Sequence, residues 1–345
     1  MEELDAFFIG SILIFIFLII LLIKRNAIER RIKIKALFKI ISWNAFLIVF
    51  GVFTIFIIGE SYYRFFVDTT DSFATNKISK RWMNRHVTLN NANARDDIIY
   101  EPKIAPGKRR LTIFGDSFSN GHGIKDINKR YSNIIREKYG NRIEVHNMSV
   151  SGGNSHSQLE NMERLLPLGY EYDVILLAYC LNDVDYFINK SKDIYKRIHL
   201  FGSRLGYIAK NSYFINTLAF RLFALRDPDF MNYSDFVLKG YNGYLWGLQK
   251  EKLQEIKQFV IKHEANLVVF TFPFLQQSKE DYLFRQAHEN LTQFWKEQGV
   301  THVDLLKTYE PYFGPQLTVN KYDAHPNEFA HRLAANEIEK VLQKR

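Results

Sequence analysis

The sequence predicts an α/β domain built on a parallel β-sheet and preceded by a hairpin of two membrane-spanning helices. From residue 111 onwards, short apolar runs typical of buried strands alternate with segments of helical periodicity, which indicates a parallel sheet covered by helices on both faces. Two long uncharged stretches, residues 7–23 and 40–59, lie near the N-terminus. A polar turn, Gly115-Asp116-Ser117, follows the first apolar run of the domain.

The two uncharged stretches contain seventeen and twenty residues. Both fall within the range of roughly 17–25 residues that a helix needs to cross the hydrocarbon core of a bilayer. A signal peptide followed by a buried helix is the alternative. The first stretch, however, follows Glu2, Glu3 and Asp5 rather than lysines, and no small-residue cleavage site comes after it. We therefore expect two transmembrane helices.

The segment between the two stretches, residues 24–39, is strongly basic. It holds seven Lys and Arg residues against a single acidic residue, Glu29, which gives a net charge of +6. Because positive loops stay in the cytoplasm, we expect both termini and everything after Glu60 to be extracytoplasmic, in the periplasm or outside the cell. This loop supplies much of the formal net charge of +9, and no concentrated basic stripe occurs elsewhere, so we expect no nucleic-acid partner.

The rest of the chain is expected to form a juxtamembrane connector, residues 60–110, and a globular domain, residues 111–345. The connector lacks regular periodicity and opens with four aromatic residues within positions 62–66, which either line the membrane interface or pack on the domain. An aromatic-rich insertion, residues 184–247, interrupts the domain. Apolar residues recur at helical spacing over residues 212–225, so the insertion either packs on the core or forms a lid or membrane-facing flap.

Strands and helices are expected to alternate along the domain. The predicted strands are residues 111–114, 143–147, 174–179, 267–272 and 303–305, and the predicted helices are residues 131–138, 157–166, 250–263, 282–297 and a last helix after Asn327. The third strand is nearly all apolar, as a central parallel strand should be. Asn327 is a favourable N-cap for the last helix.

Ser117 stands where the first predicted strand ends, the edge at which ligands bind to open α/β sheets. Taken alone, this pattern more often marks a turn with a solvated serine. A distant segment supplies the other groups that acyl chemistry through a serine requires. His325 can accept the serine proton, and Asp323, two residues earlier, can fold back on the imidazole and hold its tautomer.

Three groups are candidate donors to an oxyanion: the backbone N–H groups of Ser117 and Gly152 and the side-chain amide of Asn182. Gly152 follows the second predicted strand and Asn182 follows the third, so parallel strands bring all three to one edge of the sheet. Each residue alone is more often an ordinary turn residue. Their joint occurrence at matching strand ends supports the functional interpretation.

These residues resemble the four sequence blocks of the SGNH hydrolase (GDSL esterase/lipase) superfamily, here Gly115-Asp116-Ser117, Gly152, Asn182 and Asp323-Ala324-His325. The resemblance covers roughly residues 85–345. Residues 93–97 resemble the segment that precedes the first block in membrane-tethered bacterial members.

Some positions differ from the common pattern of that superfamily. Asp323 lies two residues before the histidine, where many members have three. Ser149 and Cys180 stand where glycine is common, and both narrow the predicted pocket without removing an oxyanion donor. Ser119 stands two residues after Ser117 in place of a glycine, so the chain does not match the Gly-x-Ser-x-Gly elbow of the separate α/β-hydrolase fold.

The resemblance implies a flavodoxin-like three-layer α/β/α sandwich (the SGNH hydrolase fold) with Ser117, Asp323 and His325 as catalytic residues. It implies an oxyanion hole formed by Ser117, Gly152 and Asn182, and no metal or organic cofactor. Superfamily members include acetyl esterases, lipases, thioesterases and carbohydrate O-acetyltransferases. We therefore expect a membrane-anchored serine esterase or O-acyltransferase that acts on acyl esters of an extracytoplasmic glycan.

Two other functions remain open at this stage: a lipolytic esterase acting on membrane lipid, and a non-catalytic glycan-binding or assembly protein. The sequence also leaves open whether the hairpin only anchors the domain or docks to a membrane partner that donates acyl groups. The single cysteine, Cys180, excludes an intrachain disulfide, and no Cys/His spacing resembles a zinc site. His122, five residues after Ser117, is expected to be a solvated loop residue rather than a pocket residue.

Overall fold

The computed structural model describes residues 4–31, 36–73 and 75–343. Its α-helices are α1 (Ala6–Ile23), α2 (Arg25–Arg31), α3 (Ala36–Ser61), α4 (Lys77–His86), α5 (Ser117–Asn120), α6 (Tyr131–Tyr139), α7 (Ser155–Leu165), α8 (Asn189–Phe201), α9 (Tyr207–Asn211), α10 (Tyr213–Arg226), α11 (Pro228–Met231), α12 (Tyr233–Gly240), α13 (Gly243–Lys262), α14 (Arg285–Glu297), α15 (Leu306–Tyr309) and α16 (Glu328–Leu342). Its strands are β1 (Arg109–Gly115), β2 (Ile143–Asn147), β3 (Val174–Cys180), β4 (Asn266–Phe272), β5 (Thr301–Asp304), β6 (Thr318–Asn320) and β7 (Asp323–Pro326).

The chain forms two compact units. The first comprises Met1–Thr69, Thr75–Arg81 and His199–Arg226, and the second comprises Thr70–Ala74, Trp82–Ile198 and Asp227–Arg345. The middle of the predicted insertion therefore groups with the N-terminal helices, whereas its two ends group with the sheet.

The first unit contains two helices that are long and apolar enough to cross a membrane: α1, and α3 with its π-helical continuation to Phe66. Asp5 caps the start of α1, its side chain accepting a hydrogen bond of 2.9 Å from the backbone N–H of Phe8. The basic segment between the spans includes α2. Lys33 and Lys35 of that segment lie outside the described residues.

The second unit is built on a five-stranded parallel sheet in the order β2-β1-β3-β4-β5. Every residue of β3 is buried. Because successive side chains of a strand point to opposite faces, helices must cover both faces of the sheet. This is the flavodoxin-like doubly wound order, in which the strand order reverses beside β1 and β3. The predicted fold class is confirmed.

The structure departs from the sequence predictions in the connector and in the insertion. The connector contains a helix, α4, besides the π-helical turn. In α10 the leucines Leu218, Leu222 and Leu225 are exposed, whereas Asn216 and Thr217 are buried. The polar side chains can lie inside because they are satisfied there: Asn216 accepts from the Lys77 backbone N–H at 2.7 Å, and the Thr217 hydroxyl donates to a carbonyl of its own helix.

Candidate active site

The nucleophile candidate is placed by the sharp turn that ends β1. A side chain at Gly115 would put its Cβ 2.8 Å from the Ser119 hydroxyl and 2.9 Å from the Ala178 carbonyl oxygen, so only glycine fits between β3 and the next helix. Asp116 then caps α5 by accepting a hydrogen bond of 2.9 Å from the Phe118 N–H. Ser117 is therefore the first residue of α5. Burial raises the pKa of Asp116 to about 7.

Ser117, His325 and Asp323 form one hydrogen-bonded chain. The Ser117 Oγ lies 2.8 Å from the Nε2 of His325, and the Nδ1 of the same ring lies 2.5 Å from the Oδ1 of Asp323. The backbone N–H of His325 also donates to Oδ1, at 3.1 Å. The carboxylate thus folds back on the imidazole two residues later. The three residues have the connectivity by which an aspartate orients a histidine that deprotonates a serine.

The electrostatics of these three hydrogen-bonded residues favour a neutral His325 beside a charged Asp323 carboxylate. Burial, together with the neighbouring His122, lowers the pKa of His325 below its ordinary value of 6.5, although the Asp323 carboxylate acts in the opposite direction. Burial also disfavours the charged form of Asp323, but the imidazoles of His325 and His122 outweigh it and hold the pKa of this carboxyl well below its usual range. At neutral pH the imidazole is therefore available to accept a proton.

A small antiparallel hairpin fixes the position of Asp323 and His325. Both residues belong to β7, which pairs with β6 in the register Thr318↔Pro326 and Asn320↔Asp323. Asn327 follows and caps α16, accepting hydrogen bonds from the first turn while its Nδ2 donates to the carbonyl of Thr318. The candidate base is thus held between a hairpin and a helix that is capped by Asn327, the N-cap that the sequence predicted.

A strap of the connector, residues 70–73, lies along the other side of this hairpin. The hydroxyl of Thr70 donates to the Oδ2 of Asp323, and the Thr70 carbonyl accepts from the Asn320 side chain at 2.9 Å. The Ser72 hydroxyl accepts from the Ala324 N–H at 3.1 Å. Sequence reasoning missed Thr70 because no local pattern connects it to a residue 253 positions later.

His122 is buried beside the catalytic candidates, so the prediction of a solvated loop residue is wrong. It is 4 % exposed. Its Nε2 lies 3.4 Å from the Oδ2 of Asp323, and its ring centroid lies 4.3 Å from that of His325. Gly121 and Gly123 flank it with positive φ angles of 80° and 83°. A histidine between two glycines, just after the nucleophile, was the sequence signal that could have identified it.

Arg95 braces the turn that carries His122. Its buried guanidinium donates to the carbonyl of Gly121, to that of Ile124 at 2.6 Å and to that of His86 at 3.0 Å. The neighbouring Asp96 pairs with two further arginines, Arg130 at 3.2 Å and Arg136 at 2.6 Å. The residues 93–97 that precede the first sequence block therefore act as a support for the loop after Ser117.

The three oxyanion-donor candidates lie at the carboxyl edge of neighbouring strands. Gly115 is in register with Ala178 of β3, two residues before the end of that strand, and Asn182 follows it in a 3₁₀ turn. The Val150 N–H donates to the Gly115 carbonyl at 3.1 Å, which brings the loop containing Gly152 to the same edge. Gly152 has a φ of 79°. The Oδ1 of Asn182 is buried without a hydrogen-bond partner among the residues that the structure describes.

A cavity of about 330 Å³ adjoins this edge of the sheet. Gly115 and Gly152 contribute to its wall, together with Met148, Asn161 and Arg164. Its wall combines apolar and hydrogen-bonding groups, whereas Ser117, Asn182 and His325 are not among the residues that line it.

The only described cluster with a possible metal-ligand arrangement is His122, Asp323 and His325, whose ligand atoms lie within 4.8 Å of one another. The His325–Asp323 distance of 2.5 Å is that of a direct hydrogen bond, with no room for an ion between the two atoms. The Nε2 of His325 faces Ser117 instead. The geometry is therefore that of a histidine oriented by a carboxylate towards a serine rather than of a metal centre.

Comparison with known proteins gives similarity in structure only. No family model matches the sequence, and no curated protein sequence matches it. The chain is similar in structure to an extracellular lipase from Streptomyces rimosus (13% identity, 66% of this chain and 98% of the lipase, TM-score 0.44). It is similar to the acetyl xylan esterase AlAXEase (15% identity, 67% and 98%, TM-score 0.41). It is also similar to a catalytic mutant of the acetylxylan esterase Axe2 from Geobacillus stearothermophilus (13% identity, 68% and 94%, TM-score 0.43).

Proposed function

We propose that this protein is a membrane-anchored serine ester hydrolase or O-acyltransferase of the SGNH type. The observation that carries the proposal is the hydrogen-bonded chain from Ser117 through His325 to Asp323, with distances of 2.8 Å and 2.5 Å. Its position at the carboxyl edge of a doubly wound sheet supports it, because ligands bind at this edge. The sequence blocks that resemble the SGNH superfamily support it independently of the geometry.

The chemistry is acyl transfer through a covalent intermediate. The Ser117 oxygen attacks the ester carbonyl while the Nε2 of His325 takes the serine proton. The carbonyl oxygen becomes an oxyanion, which the N–H groups of Ser117 and Gly152 and the amide of Asn182 stabilise. As the intermediate collapses, the alcohol leaves with the proton from His325. A water molecule or an acceptor hydroxyl then gives its proton to His325 and attacks the acyl-serine. As this second intermediate collapses, His325 returns the proton to the departing Ser117 oxygen, and the acid or the new ester is released.

The substrate class is proposed from the membrane hairpin and the cavity. The basic segment between the two apolar helices favours a cytoplasmic loop, which puts the catalytic domain on the extracytoplasmic side. Acyl esters of a glycan on that side are the proposed substrates. The cavity beside Gly152 has hydrogen-bonding groups on an apolar wall, a combination that suits a sugar ring carrying an acyl group.

The mechanism is tested with the full chain in detergent, using a fluorescent phosphonate that labels activated serines and an activated acetyl ester as substrate. We expect Ser117→Ala to abolish both labelling and hydrolysis. Ser278→Ala, which removes an exposed serine from the loop after β4, is the matched control and should behave as the unaltered chain. Undiminished hydrolysis by Ser117→Ala would contradict the mechanism. A folded, unaltered chain that is never labelled would favour a non-catalytic binding protein.

The substrate is tested by a series of esters and acceptors. Acetylated oligosaccharides should be turned over faster than long-chain acyl esters, and rates that rise with acyl chain length would favour a lipolytic enzyme instead. Intact-mass measurement of an acyl adduct on Ser117, followed by addition of either buffer or unacylated sugar, separates hydrolysis from transfer. Faster loss of the adduct with formation of an acylated sugar identifies a transferase.

A further inference from the structure

Three charged residues are joined by ion pairs beside the start of α1 and the end of the apolar part of α3. Asp5 lies directly before α1, and Glu60 lies directly after the uncharged residues 40–59 of α3. The Arg64 guanidinium bridges them, 3.0 Å from Asp5 and 2.7 Å from Glu60. Because twenty helical residues span about 30 Å, the thickness of a hydrocarbon core, this ion cluster marks one boundary of the membrane. The basic segment lies at the opposite ends of both helices.

The same cluster holds the start of α10. The carboxylate of Glu60 accepts hydrogen bonds from the Ser212 hydroxyl at 2.5 Å and from the backbone N–H groups of Tyr213 at 3.1 Å and Phe214 at 3.0 Å. These N–H groups belong to the first turn of α10, which has no partners for them within the helix. A carboxylate is also favourable at a helix N-terminus. Glu60 therefore fixes the start of α10 at the membrane boundary.

Two aromatic contacts place the starts of α9 and α10 beside the same ends of the apolar helices as the ion cluster. The Phe214 ring packs directly on α3 at Gly59, where an added Cβ would come within 2.9 Å of the ring. The ring centroid of Tyr207, at the start of α9, lies 6.1 Å from that of Phe7 in the first turn of α1. Tyrosine is enriched at membrane–water interfaces because its ring is apolar and its hydroxyl is wet. Both α9 and α10 therefore meet the transmembrane helices at their boundary.

The face of α10 opposite its buried side is apolar. Leu218, Leu222 and Leu225 are 44%, 41% and 65% exposed, and their spacing of four and three residues puts them on one stripe. In α9, Tyr207 and Ile208 are 72% and 59% exposed. Contiguous apolar patches on a protein mark an interaction site.

We propose that α9 and α10 lie in the extracytoplasmic interface of the bilayer, with this apolar face in lipid. Lipid is the expected partner of this apolar face. The exposed apolar side chains of α3 require lipid around them, and α10 starts beside the end of α3, where that lipid begins. Cationic groups accompany the apolar face, as in other interfacial helices: Arg221 and Arg226 on α10 and Lys210 on α9. The protein thus has two helices that cross the membrane, α1 and α3, and two that lie in its interface, α9 and α10. The proposal rests on the membrane anchoring in the proposed function, and is independent of its ester chemistry.

The test places a thiol label on the full chain reconstituted in vesicles of phosphatidylethanolamine and phosphatidylglycerol. The natural cysteine, Cys180, is fully buried, so an introduced cysteine reacts selectively. An environment-sensitive fluorophore is attached to Leu222→Cys. Ile48→Cys, exposed within the second apolar helix, is the lipid reference, and Glu289→Cys, exposed on α14, is the aqueous reference. Quenchers are iodide in the buffer and nitroxides at shallow or deep acyl positions of the lipid.

We expect the label at Leu222 to be quenched by the shallow nitroxide and protected from iodide, whereas that at Ile48 responds to the deep nitroxide. Quenching of Leu222 by iodide alone would overturn the proposal. Protection of the label at Leu222 from iodide and from the lipid nitroxides would also overturn the proposal, in favour of a protein partner or a second copy. If Leu222→Cys does not fold, Leu225→Cys on the same stripe replaces it. Loss of the lipid response at Ile48 would contradict the anchoring itself, so the two failures are distinguishable.

Discussion

The hydroxyl of Thr70 donates a hydrogen bond to the Oδ2 of Asp323, a residue 253 positions later in the chain. The Oδ1 of the same carboxylate lies 2.5 Å from the Nδ1 of His325. Both oxygens of this candidate orienting carboxylate are therefore held, one by the imidazole that it orients and the other by a strap of the connector. The connector is thus part of the support of the candidate active site.

Replacing Thr70 by valine should slow ester hydrolysis. The substitution keeps the volume but leaves a buried charged acceptor without this donor, a loss of about 1.5–3 kcal/mol. Because the hydrogen bond supports the carboxylate that stabilises the imidazolium, the loss raises the activation free energy. We expect kcat to fall roughly 10- to 100-fold with little change in KM. Thr70→Ser keeps the hydroxyl and should restore the rate. Equal rates for the valine variant and the unaltered chain would show that the contact plays no part in catalysis.

Replacing Asp323 by asparagine should be far more damaging. An amide cannot stabilise the imidazolium that forms at His325, and it favours the wrong tautomer of the ring. Loss of the orienting carboxylate in Ser-His-Asp triads lowers kcat by about 10⁴-fold. The measurement is turnover of an activated acetyl ester, with circular dichroism to show that the fold is retained. A folded Asp323→Asn chain with near-normal turnover would remove Asp323 from the mechanism.

The pH profile of kcat/KM should have its acid limb below pH 6.5. The base must be neutral, and burial lowers the pKa of His325 below its ordinary value of 6.5. The value of kcat/KM is therefore constant near neutral pH and decreases as the pH falls through this lowered pKa. An acid limb centred above pH 6.5 would contradict the assignment of a buried His325 as the base.

His122→Gln should move that acid limb to higher pH. The electrostatic influence of the neighbouring His122 ring lowers the pKa of His325. Glutamine removes this influence and keeps a hydrogen-bond donor near Asp323. A purely structural role would change the rate without moving the limb. His263→Gln, at the end of α13 away from the candidate triad, serves as the control and should leave the profile unchanged.

Arg95→Lys should lower the free energy of unfolding of the domain. The lysine keeps the charge but cannot reproduce the planar fork that reaches the carbonyls of Gly121, Ile124 and His86. Leaving buried carbonyls unsatisfied costs about 1–3 kcal/mol each, so the midpoint of thermal unfolding should fall by several degrees. Arg142→Lys, at an exposed turn, is the matched control. Identical midpoints for the two variants would contradict the bracing role of Arg95.

Local patterns determined the sheet because strand signals are local. The apolar runs were sufficient to place β2 at its observed bounds and the other four strands of the parallel sheet within two residues of theirs. The helix ends were less well predicted: α13 begins at Gly243, seven residues before the predicted start, because its first turns lie in a segment whose aromatic residues had been assigned to the insertion. A residue's place in an insertion depends on packing, which periodicity does not describe.

The sequence by itself determined the fold class and which residues could supply a nucleophile, a base and an orienting acid, because strand order brings Ser117 and the other strand-end residues to one edge. Only the tertiary structure decided what surrounds them. The burial of His122 and the contact of Thr70 with Asp323 arise between segments far apart in the chain. The ion cluster that ties α10 to the apolar helices α1 and α3 likewise joins Glu60 to a turn more than 150 residues later. Such contacts depend on how elements pack, and no local spacing of residue types encodes them.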